Sequence, residues 1–185
     1  MLNLPNVLTW LRILAVPLVV VFFYLPVDWA DPAAGLLFAA AAVTDSLDGY
    51  LARRMGLTSR LGAFLDPVAD KLIVVVTLVL LVAKDTHLYV VLTAAVIIGR
   101  EIAISALREW MAEIGERARV KVSWIGKAKT IGQMVGLSMM LYRNDILGMP
   151  IYQMGLVLTV AAAVLTLWSM ISYLKAAWPA LAASG

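Results

Sequence analysis

Cysteine is absent from this chain, and histidine occurs once, at His87. Without cysteine the chain can form no disulfide, zinc–thiolate site or iron–sulfur cluster, and one histidine cannot build a histidine metal cluster. Charged residues are also scarce, at 15% of the 185 residues, whereas soluble domains carry about 25%. The net charge of +3 is too small to indicate a nucleic-acid partner. These shortages argue against a soluble enzyme, a thiolate or histidine metal site, and a nucleic-acid-binding protein.

Hydrophobic residues are correspondingly abundant, at 63% of the chain. A bilayer span needs about 20 predominantly apolar residues. Six apolar stretches reach roughly that length, at residues 10–27, 33–53, 67–83, 88–108, 125–142 and 150–174. We therefore predict an all-α polytopic membrane protein, a single domain over residues 1–185 with six transmembrane helices. Residues 3–10 are expected to form an N-terminal interfacial segment, with Arg12 snorkelling to the headgroups.

The basic residues are distributed unevenly among the predicted loops. If the N-terminus is cytoplasmic, the outer loops contain only Lys84 and Arg143 as basic residues. Twelve of the fifteen lysines and arginines then lie at cytoplasmic ends, and Arg100 lies within the fourth helix. Because basic loops stay on the cytoplasmic side, both termini are predicted to be cytoplasmic.

Four aspartates interrupt the second and third apolar stretches: Asp45, Asp48, Asp66 and Asp70. A charged side chain at mid-bilayer costs at least ~2.5–3.5 kcal/mol on insertion scales, so four of them require a compensating partner. Counting ~1.5 Å per residue along each helix places all four at one level, towards the cytoplasmic face. The pair Asp66–Pro67 fits either a helix start or a kink within a longer helix. We expect the four carboxylates to form a single site on two adjacent helices.

A cationic ligand would make such a cluster tolerable. Hard divalent cations prefer carboxylate oxygens, and Mg²⁺ characteristically bridges carboxylates and substrate phosphates. Two metal ions can clamp the attacking and leaving oxygens of a phosphoryl transfer. The alternative is a set of structural charge pairs, with Arg53, Arg54, Arg60 and Lys71 as the basic partners. The pattern favours metal-dependent phosphoryl chemistry at a lipid interface.

Eight residues at fixed spacing make this segment specific. They read Asp45-x2-Asp48-Gly49-x2-Ala52-Arg53-x8-Gly62-x3-Asp66-x3-Asp70. This pattern resembles the signature of the CDP-alcohol phosphatidyltransferase family, without a departure from it. The segments LPNVLTWLRI, GREIAISALREW and VSWIGKAKT are similar to family members from bacteria that use sn-glycerol 3-phosphate as the acceptor.

The resemblance implies a fold and a reaction. The fold would be a six-helix homodimer, multi-pass in the bacterial cytoplasmic membrane, with its active site open to the cytoplasm and in contact with membrane lipid. The reaction would convert CDP-diacylglycerol and sn-glycerol 3-phosphate into phosphatidylglycerophosphate and CMP. Inositol phosphate or serine as the acceptor is the alternative within the family. A divalent-cation transporter is a distant alternative, which the position of all four aspartates towards one face disfavours.

Residue roles follow from the same resemblance. Asp45, Asp48, Asp66 and Asp70 would hold Mg²⁺ or Mn²⁺, two ions per site, and Asp70 would also be the catalytic base. The CDP-diacylglycerol site would be lined by Asp48, Gly49, Ala52, Arg53 and Gly62.

The acceptor is a phosphate ester and therefore needs basic partners. Arg108 and Lys127 are the first candidates, followed by Arg100, which lies on nearly the same helix face as Arg108. For Arg100 the alternative is an ion pair with Glu101. Gly132 and Gly136 form a GxxxG pair, suited to close packing within the bundle or across a dimer.

Overall fold

The computed structural model describes residues 4–55, 60–115 and 124–183. The side chains of residues 4–6, 46–61, 63 and 124–128, and of several residues after 175, lie outside that description. The described part of the chain is all-helical. Its six helices are α1 (Leu4–Tyr24), α2 (Ala30–Met55), α3 (Arg60–Lys84), α4 (Leu88–Glu113), α5 (Trp124–Tyr142) and α6 (Ile151–Ala183).

Three of these helices are long and apolar enough to cross a membrane. The qualifying segments are Val7–Tyr24 in α1, Leu88–Glu113 in α4 and Ile151–Lys175 in α6. Large hydrophobic side chains are exposed along them, including Leu14 at 57% and Val157 at 67%. Apolar side chains facing outward along a helix suit a lipid environment. The chain is a membrane protein.

Two predicted helix starts differ from the structure. α1 already begins at Leu4, so the residues expected to form an interfacial segment are continuous with the first helix; their depth in a membrane stays a prediction.

α3 begins at Arg60, and Pro67 lies inside it. The helix-start interpretation of Asp66–Pro67 was therefore wrong. The helix continues through Pro67 although proline cannot donate a backbone hydrogen bond to the carbonyl four residues earlier.

The helix ends follow local chemistry. α4 ends at Glu113, and Gly115 two residues later has a φ of 78°, a left-handed conformation that glycine adopts without a Cβ clash. The amide of Gly115 donates to the carbonyl of Ala112 at 3.3 Å. Between α5 and α6, Ile146 and Met149 pair through their backbones, and Leu147 and Gly148 form the turn, with φ of 52° and 77°.

α1 contacts both of the helices that carry the four aspartates. It packs along both α2 and α3, whereas α2 and α3 meet each other only sparingly in the described residues. α5 packs closely on α6 and also on α2, and α4 packs on α6. α1 therefore lies beside both helices that carry the aspartates.

Candidate active site

Arg12 of α1 joins the aspartates of α2 and α3. Its side chain is buried, at 2% exposure. Its Nη1 atom lies 2.6 Å from Oδ1 of Asp70 and 3.0 Å from Oδ1 of Asp45. The prediction that Arg12 snorkels to the interface was wrong, since two carboxylates beside it offer an ion-pairing partner inside the bundle. Arg12 thus supplies a buried positive charge to the carboxylates of Asp45 and Asp70.

Thr9 provides the corresponding contact for Asp66. The Thr9 hydroxyl donates a hydrogen bond to Oδ1 of Asp66, and Thr9 is 1% exposed. Thr9 and Arg12 are three residues apart, so they share one face of α1. Polar residues at that spacing in an otherwise apolar helix were the available signal, but the sequence did not show that they contact the aspartates. α1 therefore supplies polar partners to Asp45, Asp66 and Asp70.

A cavity of about 230 Å³ opens beside these carboxylates. We call it the charged cavity. Its charged lining residues are Asp45, Asp70, Lys71, Arg100, Glu101, Arg108 and Lys129. The structure therefore brings together two of the four predicted metal ligands and two of the three predicted acceptor-binding residues.

Asp66 and Gly62, both on α3, are not among the residues that line the charged cavity. Gly62 is buried on α3. The side chains of Asp48, Ala52, Arg53 and Lys127, together with the surroundings of Gly49, lie outside the described residues.

Two arginines of α4 form part of the basic side of the charged cavity. Arg100 Nη1 lies 2.8 Å from Oε2 of Glu101, so the ion pair that was weighed as an alternative is present, and Arg100 lines the cavity as well. Its Nε is buried and has no hydrogen-bond partner among the residues that the structure describes. The guanidinium of Arg108 lies over the Tyr173 ring, with Cζ 5.7 Å from the ring centroid. Both arginines keep donor groups that an anion can use.

Lys129 is a site residue that the sequence analysis did not select. It is 4% exposed, and its Nζ donates to Oγ of Ser169 at 2.6 Å. The Ser169 hydroxyl in turn donates to the carbonyl oxygen of Thr166 at 2.9 Å. The available signal was its spacing from Gln133, because residues four apart share a helix face and both line the charged cavity. α6 thus orients a lysine of α5 beside the two arginines of α4.

An apolar groove adjoins the charged cavity between α2 and α5. It encloses about 210 Å³. Its walls are mainly alanine, valine, isoleucine and methionine side chains, and it shares Asp45, Thr130 and Met134 with the charged cavity. An apolar channel therefore reaches the carboxylate of Asp45 from the side of the bundle.

The carboxylates have the chemistry of a hard-cation site. Among the side chains that the structure describes, which exclude Asp48, no group of three acidic, histidine or cysteine residues converges closely enough to hold a metal ion. Asp45 and Asp70 nonetheless share one cationic nitrogen of Arg12. Their donor set consists of oxygen atoms alone, as Mg²⁺ prefers. The residues present fit a divalent cation in their chemistry.

Comparison with known proteins identifies the family of the chain. The family model for CDP-alcohol phosphatidyltransferase matches residues 2–171. Two similar proteins come from Escherichia coli (strain K12) and Shigella flexneri serotype 5b (strain 8401), and both are named CDP-diacylglycerol–glycerol-3-phosphate 3-phosphatidyltransferase. Each is 53% identical over 175 residues, which cover 95% of this chain and 94% of the relative. The resemblance found in the aspartate signature is thereby confirmed, and the chain belongs to the CDP-alcohol phosphatidyltransferase family.

Proposed function

We propose that this protein transfers the phosphatidyl group of CDP-diacylglycerol to sn-glycerol 3-phosphate, giving phosphatidylglycerophosphate and CMP. The observation that carries the proposal is the charged cavity, which is lined both by carboxylates of α2 and α3 and by basic residues of α4 and α5. The names of the two relatives and the family membership support the same reaction. The arrangement suits a reaction in which both substrates carry phosphate.

The basic side of the charged cavity would bind the phosphate of the acceptor. Arg100, Arg108 and Lys129 come from two helices and face one space. Arginine suits bidentate phosphate binding, whereas lysine adds a compact charge. We keep Lys127 as a further acceptor residue. Binding the phosphate there would orient the acceptor hydroxyl towards Asp70.

Asp70 would act as the general base. As the acceptor oxygen forms its bond to the phosphorus that carries diacylglycerol, the bond from that phosphorus to CMP breaks and CMP leaves with the electron pair. The proton of the attacking hydroxyl passes to the Asp70 carboxylate. Asp70 lines the charged cavity and lies 2.6 Å from Nη1 of Arg12, so Arg12 would hold the carboxylate in position.

The four aspartates would hold two divalent cations, Mg²⁺ or Mn²⁺. Such ions offset charge on the diphosphate and on the departing CMP. Asp45, Asp48, Asp66 and Asp70 would serve as the ligands. Thr9 donates to Asp66 and Arg12 contacts both Asp45 and Asp70, so α1 would orient three of these carboxylates.

CDP-diacylglycerol would enter from the side of the bundle. Its acyl chains would occupy the apolar groove between α2 and α5, which reaches Asp45. The headgroup would then meet Asp48, Gly49, Ala52, Arg53 and Gly62, as the family signature implies. This path keeps the acyl chains in an apolar environment while the diphosphate reaches the carboxylates.

In the cell the protein would be multi-pass in the bacterial cytoplasmic membrane. We propose that all six helices span the membrane, with both termini and the active site at the cytoplasm, because twelve of fifteen basic residues then lie on that side. A homodimer is proposed on the family resemblance, and chemical cross-linking in the native membrane tests it.

The reaction is tested with a panel of acceptors. The purified protein, CDP-diacylglycerol and Mg²⁺ are combined with sn-glycerol 3-phosphate, inositol phosphate, serine or glycerol, and the lipid product is identified by mass spectrometry. Phosphatidylglycerophosphate and CMP are expected in equal amounts, from the first acceptor only. A product from inositol phosphate or serine instead would assign a different member of the family.

A sealed-vesicle assay tests the transporter alternative. Vesicles containing the protein are expected to take up no more Mg²⁺ or Mn²⁺ than empty vesicles do. Protein-dependent uptake without transferase activity would overturn the proposed function.

A further inference from the structure

A second polar cavity lies at the other end of the helical bundle. It encloses about 390 Å³ and is lined by Lys84, Asp85, Thr86, His87, Arg143 and Tyr152. We call it the Arg143 cavity. Asp70 and Lys84 are both on α3, and the rise from one position to the other corresponds to ~21 Å of helix. The Arg143 cavity is therefore separate from the charged cavity and takes no part in the proposed reaction.

Arg143 has aromatic neighbours but no acidic partner. Its Cζ lies 5.8 Å from the ring centroid of Phe23 and 5.4 Å from that of Tyr152. Its Nε is buried and unbonded, and no ion pair of Arg143 occurs in the described ranges of the chain. A guanidinium has five N–H donors. Arg143 can therefore donate to an anion that enters the cavity while its plane stays against the two rings.

The backbone holds Arg143 in this position at a conformational cost. Its φ of 61° is a left-handed value that glycine adopts more readily than arginine. The Arg143 amide donates to the carbonyl of Met139 at 3.2 Å, so this residue closes α5. Backbone strain at a residue other than glycine is found most often at functional positions.

The one carboxylate in the cavity is already engaged. The Asp85 oxygens accept hydrogen bonds from the Tyr152 hydroxyl and from the His87 amide at 3.2 Å, and His87 Nδ1 lies 2.6 Å away. Partial burial acts to raise the pKa of Asp85, but the hydrogen bonds from Tyr152 and His87 outweigh it and lower the pKa. Asp85 therefore stays ionised at neutral pH but is held by these donors rather than by Arg143.

Lys84 adds a second positive charge to the cavity. Its Nζ lies 3.3 Å from Asp31 and 5.0 Å from the centre of the Phe23 ring. The Lys84 side chain keeps 40% exposure, so its ammonium remains reachable from the cavity. Asp31 offsets the charge of Lys84, and Asp85 is held by Tyr152 and His87, so Arg143 is the cation of this lining that has no carboxylate contact among the described residues.

Exposed aromatic and apolar side chains surround this end of the bundle. Tyr24 is 66% exposed, Trp29 58%, Leu88 71% and Leu147 94%. Tyrosine and tryptophan in such positions are typical of the headgroup level of a membrane. An anion that meets Arg143 at this depth has apolar contacts available beside it.

We propose that the Arg143 cavity binds the phosphate group of an anionic phospholipid. Arg143 and Lys84 contact the phosphate oxygens, and the acyl chains lie along the exposed apolar side chains around the cavity. A guanidinium can bind a phosphate through two parallel hydrogen bonds. The acyl chains distinguish this ligand from free phosphate.

The absence of cysteine from the chain allows a single labelled thiol to report binding. Thr86→Cys places a fluorescent label in the lining of the Arg143 cavity, and the full-length protein is kept in a neutral detergent. It is titrated with dihexanoyl phosphatidylglycerol, dihexanoyl phosphatidylcholine and inorganic phosphate. Saturable binding of phosphatidylglycerol is expected, with a half-saturating concentration at least about tenfold lower than for either of the others.

Substitutions in the Arg143 cavity test whether the fluorescence change arises from binding at this site. Arg143→Gln is expected to raise the half-saturating concentration of phosphatidylglycerol about tenfold or more. Lys84→Gln should raise it several-fold and serves as an independent variant if Arg143→Gln unfolds, as judged by circular dichroism. Lys175→Gln, an exposed lysine distant from the cavity, is the matched control and should leave binding unchanged.

Three outcomes would overturn the proposal. The first is a phosphatidylglycerol signal that does not saturate. The second is equal affinity for inorganic phosphate or phosphatidylcholine, which would exclude selection of an anionic lipid. The third is unchanged affinity in a folded Arg143→Gln protein, or in Lys84→Gln if only that variant folds.

Discussion

Individual buried charges determine the chemistry of the charged cavity. Asp45 and Asp70 are partly exposed, at 36% and 34% of their side chains, whereas Arg12 between them is 1% exposed. The cation is thus the buried partner, and the carboxylates keep surface open towards the cavity. This arrangement gives Nη1 of Arg12 two ion-pair partners inside the bundle and leaves carboxylate oxygens available for a ligand.

Asp70→Asn tests the proposed general base. The substitution preserves the side-chain volume but removes the proton acceptor, so kcat should fall at least about a hundredfold. The rate is measured with saturating CDP-diacylglycerol and sn-glycerol 3-phosphate. Asp28→Asn, which changes an exposed aspartate, should retain full activity. If Asp70→Asn keeps most of its kcat, another group takes the proton.

Arg12→Gln tests the contribution of the buried ion pairs to stability. Removing one partner of a fully buried pair costs ~3–5 kcal/mol, and the partial exposure of both aspartates reduces this to about 1–3 kcal/mol. Thermal unfolding in detergent and EDTA measures the loss. Lys84→Gln removes the cation of an exposed pair with Asp31 and should cost at most about 1 kcal/mol. Equal losses in the two variants would contradict the role of Arg12.

Arg108→Ala tests the binding of the acceptor phosphate. A hydrogen bond to a charged group contributes about 1.5–3 kcal/mol, so KM for sn-glycerol 3-phosphate should rise roughly ten- to a hundredfold. KM for CDP-diacylglycerol should stay the same. Lys129→Met and Lys127→Met, compared under the same conditions, show which lysine contributes. If Arg108→Ala weakens only CDP-diacylglycerol, Arg108 belongs to the donor site.

At the scale of helices, glycine sets the distance between α5 and α6. A Cβ atom added at Gly136 would lie 2.8 Å from the Gly155 carbonyl oxygen, and one added at Gly155 would lie 2.7 Å from that of Gly136. A Cβ added at Gly132 would meet nothing within 4 Å. Gly136 therefore packs within this chain, which agrees with the intrachain interpretation of the GxxxG pair, and Gly132 makes no comparable contact.

Gly136→Ala and Gly132→Ala form a matched pair. Each adds one methyl group to the same helix, so the change in helix propensity cancels between them. Gly136→Ala should be the less stable variant by about 1–3 kcal/mol, because the added carbon forces α5 away from α6. Unfolding of the two variants in one detergent provides the comparison. If the two variants have a similar free energy of unfolding, the close contact between α5 and α6 at Gly136 does not contribute to stability.

Helix positions were predictable, whereas helix contacts were not. Apolar length and the breaks near Pro26, Lys84 and Pro150 placed all six helices, since these depend on local composition. A helix that continues through Pro67 was one of two alternatives left open by the sequence, because the pair Asp66–Pro67 also fits a helix start.

At the scale of the whole molecule, the two ends of the bundle differ in charge chemistry. One end holds the aspartates, Arg12 and the basic residues of α4 and α5. The opposite end holds the Arg143 cavity and an exposed set of aromatic side chains. The orientation of the bundle in the membrane therefore decides which compartment each cavity meets.

Single cysteines test that orientation, since the chain contains none of its own. In intact cells Asn144→Cys should react with a membrane-impermeant maleimide, whereas Ser59→Cys should react only after the membrane has been permeabilised. The physical reason is the concentration of basic residues at the end that contains residue 59. Labelling of each cysteine is detected as a gel shift. The reverse pattern would place the aspartates on the side of the membrane opposite to the cytoplasmic nucleotide.

Apolar length sufficed to predict an all-helical membrane protein, and the resemblance carried by the aspartate signature indicated its family and the proposed reaction. Those features are local, and they can be read along one chain. The partners of the aspartates were decided only in three dimensions, where α1 packs between α2 and α3 and brings Arg12 and Thr9 to the carboxylates. Lys129 likewise became a site residue only because α6 presents Ser169 to it. Contacts between residues distant in sequence depend on which helix faces meet, and hydrophobic periodicity alone does not encode that choice.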